Sequence, residues 1–100
     1  MAAEYGAVAY GEESGRRGVA WGWDTQKDAE KAAMKDCGDG CKIVVRFGPK
    51  MCVAIATPEK GKGIGISSRP NETDAKNAAL ADCKKRNPEG CVVQDSRCNR

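Results

Sequence analysis

The sequence predicts an α+β fold in which two ββαβ repeats share one mainly antiparallel sheet with two helices, stapled by disulfides. Three observations predict it. The chain nearly repeats itself: displaced by 46 positions, Gly6–Cys37 falls on Cys52–Cys83 with eight of 32 positions identical, and self-similarity at such a spacing marks a duplicated structural unit. Each copy alternates strand-like and helix-like periodicity in the same order. Six cysteines sit in only 100 residues, and an even count in a short chain reads as a disulfide framework or as metal ligands.

The elements follow in order. Tyr5–Tyr10 reads as a short strand, and Ser14-Gly15 punctuates the turn after it. Gly18–Trp23 is a second strand, and period-two alternation puts Val19, Trp21 and Trp23 on one face. Thr25 caps a helix, and Asp28 three residues later completes a capping box. Ala29, Ala32, Ala33 and Cys37 form its apolar stripe, with Lys27, Lys31 and Lys35 opposite. Gly38–Gly40 ends it. Cys41–Phe47 is the clearest strand, with Ile43, Val44 and Val45 all β-branched. Gly48-Pro49-Lys50 then turns the chain.

The second copy begins with a strand at Met51–Ala56 and a turn at Thr57–Gly61. Gly63–Ser68 repeats the second strand, Asn71 caps a helix with Asp74 at the box position, and Ala75, Ala78, Ala79 and Cys83 repeat the stripe. Asn87-Pro88-Glu89-Gly90 closes that helix, because proline cannot continue it. Cys91–Ser96 is the last strand. Copies this small are near the lower limit for folding alone, so the expectation is a single domain over 5–98, built of repeats 5–47 and 51–98.

Both stripes are mostly alanine, which buries little apolar area per residue. Cross-links are therefore expected to carry part of the stability. Metal binding is the weaker reading of the cysteines. The chain has no histidine and no Cys-x-x-Cys pair, whereas structural zinc favours closely spaced ligand pairs. No metal and no cofactor are expected. Disulfides imply an oxidising compartment, so a periplasmic or secreted protein is expected. An export signal would then have been removed near Ala2 and Ala3. No apolar run approaches the ~20 residues of a membrane span. The net charge of +3 is mild, and no nucleic-acid partner is expected.

Six cysteines allow about 15 connectivities. If Phe47–Met51 is a hairpin, strand parity puts Cys52 on the face that Cys41 avoids, and Cys98 has the opposite parity to Cys91. That favours Cys52–Cys98, with Cys37–Cys41 and Cys83–Cys91 tying each helix end to the next strand. The rival pairs Cys37 with Cys52 and Cys83 with Cys98, and a bulge near either turn reverses the parity.

Tyr5-Gly6-Ala7-Val8-Ala9-Tyr10, Trp21-x-Trp23, Asp28-Ala29 through Ala33 to Cys37, Cys41 with Val44-Val45, and Cys52-Val53-Ala54 together resemble domain-of-unknown-function family 4189. The resemblance runs from Tyr5 to Cys98. It implies a small exported bacterial protein with a compact α+β fold, and it supplies no catalytic residues. The second copy departs from the pattern, since Gly63–Ser68 holds no aromatic residue.

Trp21 and Trp23 are the sharpest functional candidates. They are the only tryptophans, and paired rings make binding hot spots; the competing reading is that they fill the core. Arg16 and Arg17 lie nearby in sequence, and Lys60 and Lys62 occupy the equivalent turn. Gly61-Lys62-Gly63-Ile64-Gly65 only superficially resembles a phosphate loop, because no helix follows directly. Catalysis is poorly supported: without histidine no Ser-His or Cys-His nucleophile exists, and Asp28/Asp74 and Asp36/Asp82 are duplicated as structural positions are. The expected function is a non-enzymatic binding module with a protein partner in the envelope or outside the cell, of effector, inhibitor or immunity type. The alternatives are a structural envelope-associated domain and a carboxylate-dependent hydrolase.

Overall fold

The computed structural model describes residues 3–59 and 63–100. Ala2, and the Lys60, Gly61 and Lys62 of the second turn, lie outside the described residues. The element order is β1 (Tyr5–Tyr10), β2 (Arg17–Trp23), α1 (Gln26–Cys37), β3 (Lys42–Phe47), β4 (Cys52–Pro58), β5 (Gly65–Arg69), α2 (Glu72–Arg86) and β6 (Cys91–Cys98). This is ββαβ twice over. The chain divides into two compact units, Met1–Lys50 with Asn99–Arg100, and Met51–Cys98.

The sheet differs from the expectation. Two three-stranded antiparallel sheets form, ordered β2-β1-β3 and β5-β4-β6, in place of one shared sheet. The first strand of each repeat is the central one, so its partners on both sides come from its own repeat. β3 accordingly pairs with β1, and the β3–β4 hairpin assumed in the parity argument does not form. The favoured disulfides are nevertheless the ones present: Cys37–Cys41, Cys52–Cys98 and Cys83–Cys91. Cys52 and Cys98 are direct cross-strand partners on β4 and β6, which brings their side chains together without any hairpin. All six cysteines are paired, as suits an oxidising, extracytoplasmic location.

Both helices start where the caps predict. Thr25 Oγ1 accepts from the Asp28 amide at 3.1 Å and Asn71 Oδ1 from the Asp74 amide at 3.1 Å. In the first unit Ala29, Ala33 and Cys37 bury against Ala7, Ala9 and Ala20. In the second, Ala75, Ala79 and Cys83 bury against Cys52, Ala54 and Ala56. A glycine makes each of these packings possible. A Cβ on Gly18 would lie 2.1 Å from the Ala33 carbonyl oxygen, and one on Gly65 would lie 2.0 Å from that of Ala79. Only a residue without Cβ permits so close a helix–strand approach.

These glycines also correct the repeat register. The pairs Ala7↔Ala20, Val8↔Val19 and Ala9↔Gly18 correspond to Ala54↔Ser67, Ile55↔Ile66 and Ala56↔Gly65. The first two strands of each copy therefore superpose with a displacement of 47, one more than the helices.

The carboxylates Asp36 and Asp82 have a shared structural task. Asp36 Oδ2 accepts from the Val19 amide at 3.2 Å, and Asp82 Oδ2 from the Ile66 amide at 3.4 Å. These amides lie on the edge strands β2 and β5. An edge strand left with unsatisfied amides invites pairing with another chain, and each helix blocks one such amide.

Candidate functional site

The end of β2 holds the two tryptophans. Trp21 is 44% exposed and Trp23 43%, so neither ring fills the core. They do not share a face, however. Tyr5 pairs with Trp23 and Ala7 with Ala20, with a register shift between. Directly opposed residues project from the same face of a sheet, and Tyr5 and Ala7 are both on the helix side of β1. Trp23 is therefore on the helix side, and Trp21, next to Ala20, is on the other. The extra residue is Gly22, at φ 75, a left-handed conformation that glycine tolerates. This bulge reverses the alternation expected from the sequence.

The bulge is held from both sides. The Gly22 amide donates to Asn99 Oδ1 at 2.9 Å, and Asn99 Nδ2 donates to the carbonyls of Phe47 and Gly48, each at 3.0 Å. Asn99 is buried, and its side-chain amide uses both donors and its acceptor. Gln26 Nε2 donates to the Gly6 carbonyl at 2.9 Å, where the ladder is interrupted. Beyond Asn99, the Arg100 amide donates to Glu4 Oε1 at 2.7 Å. The tryptophans thus stand on a fixed backbone, one on each side of the edge strand. Asn99 was invisible to sequence reasoning: it follows the last cysteine and belongs to no periodic segment.

Arg16 and Arg17 are not part of this feature. Arg17 begins β2 opposite Tyr10, about 13 Å along the strand from Trp21 and about 20 Å from Trp23 at ~3.3 Å per residue. Arg16 precedes it, with Nη1 near Gly38 at the end of α1. The sequence-predicted constellation is therefore two separate features, one at each end of β2. The second unit has no aromatic counterpart, because Arg69 takes the place of Trp23 opposite Cys52.

The carboxylates considered for catalysis all have structural positions. Asp28 and Asp74 lie in the first turns of the helices, where their amides are capped, and Asp36 and Asp82 hold edge-strand amides. Among the described residues no group of three or more metal-ligating side chains is gathered, and no helix is long and apolar enough to cross a membrane.

A second feature of the first unit went unnoticed in the sequence. α1 packs mainly on β2 and β1 and reaches β3 only at its margin. The uncovered strip between helix and β3 is a groove of about 670 Å³. Met34 and Ile43 supply apolar lining, Lys27, Lys31, Lys42 and Arg46 supply positive charge, and Glu30 adds one carboxylate, paired with Arg46. The lysine periodicity of α1 was legible, but the arrival of Lys42 and Arg46 opposite it depends on how far the helix lies from β3.

The family model for a domain of unknown function, DUF4189, matches residues 5–98. The chain belongs to this family. The family description assigns no activity. The chain is similar to the uncharacterised proteins Rv1813c of Mycobacterium tuberculosis and Mb1843c of Mycobacterium bovis, each 42% identical over 74 residues, which cover 73% of this chain and 51% of the relative. The chain thus spans about half the length of the curated relatives it matches. The NMR structure of Rv1813c has the same fold, with a TM-score of 0.72 and 29% identity, covering 96% of this chain and 75% of that one.

Proposed function

We propose that the protein is an exported, non-enzymatic binding module that docks a protein partner, in the envelope or outside the cell, through the end of β2. One observation carries this reading: two tryptophans, each more than two-fifths exposed, flank a bulge whose backbone is clamped by a buried asparagine. Tryptophan offers large contact area at low entropic cost when its backbone is already ordered. Exposed aromatics on a rigid edge are poor economy for a purely structural domain and useful as anchors. The engagement of Asp36 and Asp82 in edge-strand hydrogen bonds supports a non-catalytic role. Three disulfides support the periplasmic or secreted location.

The test is quantitative capture of envelope and culture-filtrate proteins on the oxidised protein, compared with Trp21→Ala, Trp23→Ala and the control Val92→Ala, which removes another exposed apolar side chain. The expected result is at least one captured protein whose yield falls about tenfold with either tryptophan variant, as for a hot-spot residue, and is unchanged in the control. Identical capture profiles for all four proteins contradict the proposal.

A further inference from the structure

The α1–β3 groove differs in chemistry from the end of β2. On one wall Lys27 and Lys31 are one helical turn apart, about 6 Å along the axis, and both are exposed. Neither forms an ion pair with a carboxylate among the described residues. On the other wall Lys42 and Arg46 are about 13 Å apart along the strand. Arg46 Nη2 pairs with Glu30 at 3.0 Å, and Lys42 reaches Glu12 at 3.9 Å. Between the walls lie the side chains of Met34 and Ile43, both half-buried.

This combination selects among anionic ligands. One carboxylate or phosphate headgroup cannot span cations distributed over these distances. A chain with charges at intervals can. An apolar floor favours a ligand with bulky apolar groups between its charges, and no aromatic ring lines the groove to stack a base. The corresponding groove of the second unit, between α2 and β6, is an internal comparison. It is smaller, about 380 Å³, and its Arg97 is paired with Asp95 while Ser96 donates to Glu72 at 2.7 Å. Lys76 is the remaining cation there.

We propose that the α1–β3 groove docks an acidic peptide segment of a partner protein, with carboxylates on Lys27 and Lys31, which have no carboxylate partner among the described residues, and an apolar side chain on Met34 and Ile43. Complementary charge gives such docking its specificity and its salt dependence. The proposal is independent of the tryptophans, which lie at the end of another strand.

The experiment is a heteronuclear NMR titration of the oxidised, isotope-labelled protein with a short synthetic peptide rich in glutamate and carrying two leucines. The same peptide with glutamine for glutamate, and a single-stranded oligothymidylate, serve as comparison probes. The amides of Met34, Ile43 and Arg46 are expected to shift with the acidic peptide and not with its glutamine form. Affinity should fall at least about tenfold in Lys27→Glu/Lys31→Glu, about threefold or more in the milder Lys27→Gln/Lys31→Gln, and stay unchanged in Lys76→Glu and Trp21→Ala. Failure of the groove amides to shift overturns the proposal. So does an equal response at Val93 and Ser96, or equal loss in Lys76→Glu, since either means general charge attraction. Tighter binding of oligothymidylate at the same amides overturns it in favour of a nucleic-acid site.

Discussion

Replacing Gly18 or Gly65 by alanine should be far more damaging than a Gly→Ala change at an open position with comfortable backbone dihedrals, such as Gly48. At Gly18 the new Cβ would sit 2.1 Å from the Ala33 carbonyl oxygen and 2.6 Å from the Cys37 nitrogen; at Gly65 the distances to Ala79 and Cys83 are 2.0 and 2.5 Å. These are backbone atoms inside a helix, so no side chain can swing away. Relief requires the helix to retreat until the first distance reaches at least about 3.0 Å, a shift of roughly 1 Å across a tightly packed interface. Overpacking of this kind costs about 1–3 kcal/mol. The same shift stretches the Asp36–Val19 or Asp82–Ile66 hydrogen bond, worth about another 1 kcal/mol. Taken together, about 2–4 kcal/mol lowers the melting temperature of a chain this size by roughly 10–25 °C. Thermal unfolding followed by circular dichroism on the oxidised proteins measures it. Gly48→Ala is the control, because among the described residues nothing lies within 4 Å of a Cβ there. If Gly18→Ala and Gly65→Ala melt within about 2 °C of Gly48→Ala, the close helix–strand approach is wrong.

The clamp and the blocked edges give further tests. Asn99→Ala should destabilise by about 2–3 kcal/mol, since it strands the buried Phe47 carbonyl and frees the Gly22 amide; collisional quenching of tryptophan fluorescence should rise in the same variant, and unchanged quenching would mean that the bulge does not depend on Asn99. Asp36→Ala and Asp82→Ala should each cost about 1 kcal/mol and speed hydrogen exchange at Val19 and Ile66 respectively, with more self-association on concentration; exchange rates equal to the parent's would refute the edge-blocking role.

Much of the fold was legible because it is written locally. Thr25 and Asn71 announce the helices, the alanine stripes announce their buried faces, and β-branched residues announce β3. Sheet membership was not legible, because whether β3 joins β1 or β4 is a choice between distant partners that the residues of β3 satisfy equally well. The one-residue offset of the strands was hidden by the alignment, which the conserved helix spacing of Asp28–Cys37 and Asp74–Cys83 dominates. At the candidate site the identity of the exposed tryptophans was readable and their disposition was not: Gly22 looked like an ordinary strand residue, and its positive φ turns the pair to opposite faces. The Asn99 clamp and the α1–β3 groove depend on packing between segments far apart in sequence, and no local pattern encodes them.

Cross-links compensate for helix–sheet cores lined mainly by alanine. The loops closed by Cys37–Cys41, Cys83–Cys91 and Cys52–Cys98, with sequence separations of 4, 8 and 46, are worth about 2, 3 and 4 kcal/mol by chain entropy. Together these rival the whole stability of an ordinary domain, about 5–15 kcal/mol. Thermal melts with and without a thiol reductant, paired with thiol titration of the native protein, are the direct measurement. Native material should show no titratable thiol, and the reduced chain should melt at least about 20 °C lower or without cooperativity. Reactive thiols in the native protein, or an unchanged melting temperature after full reduction, would contradict it.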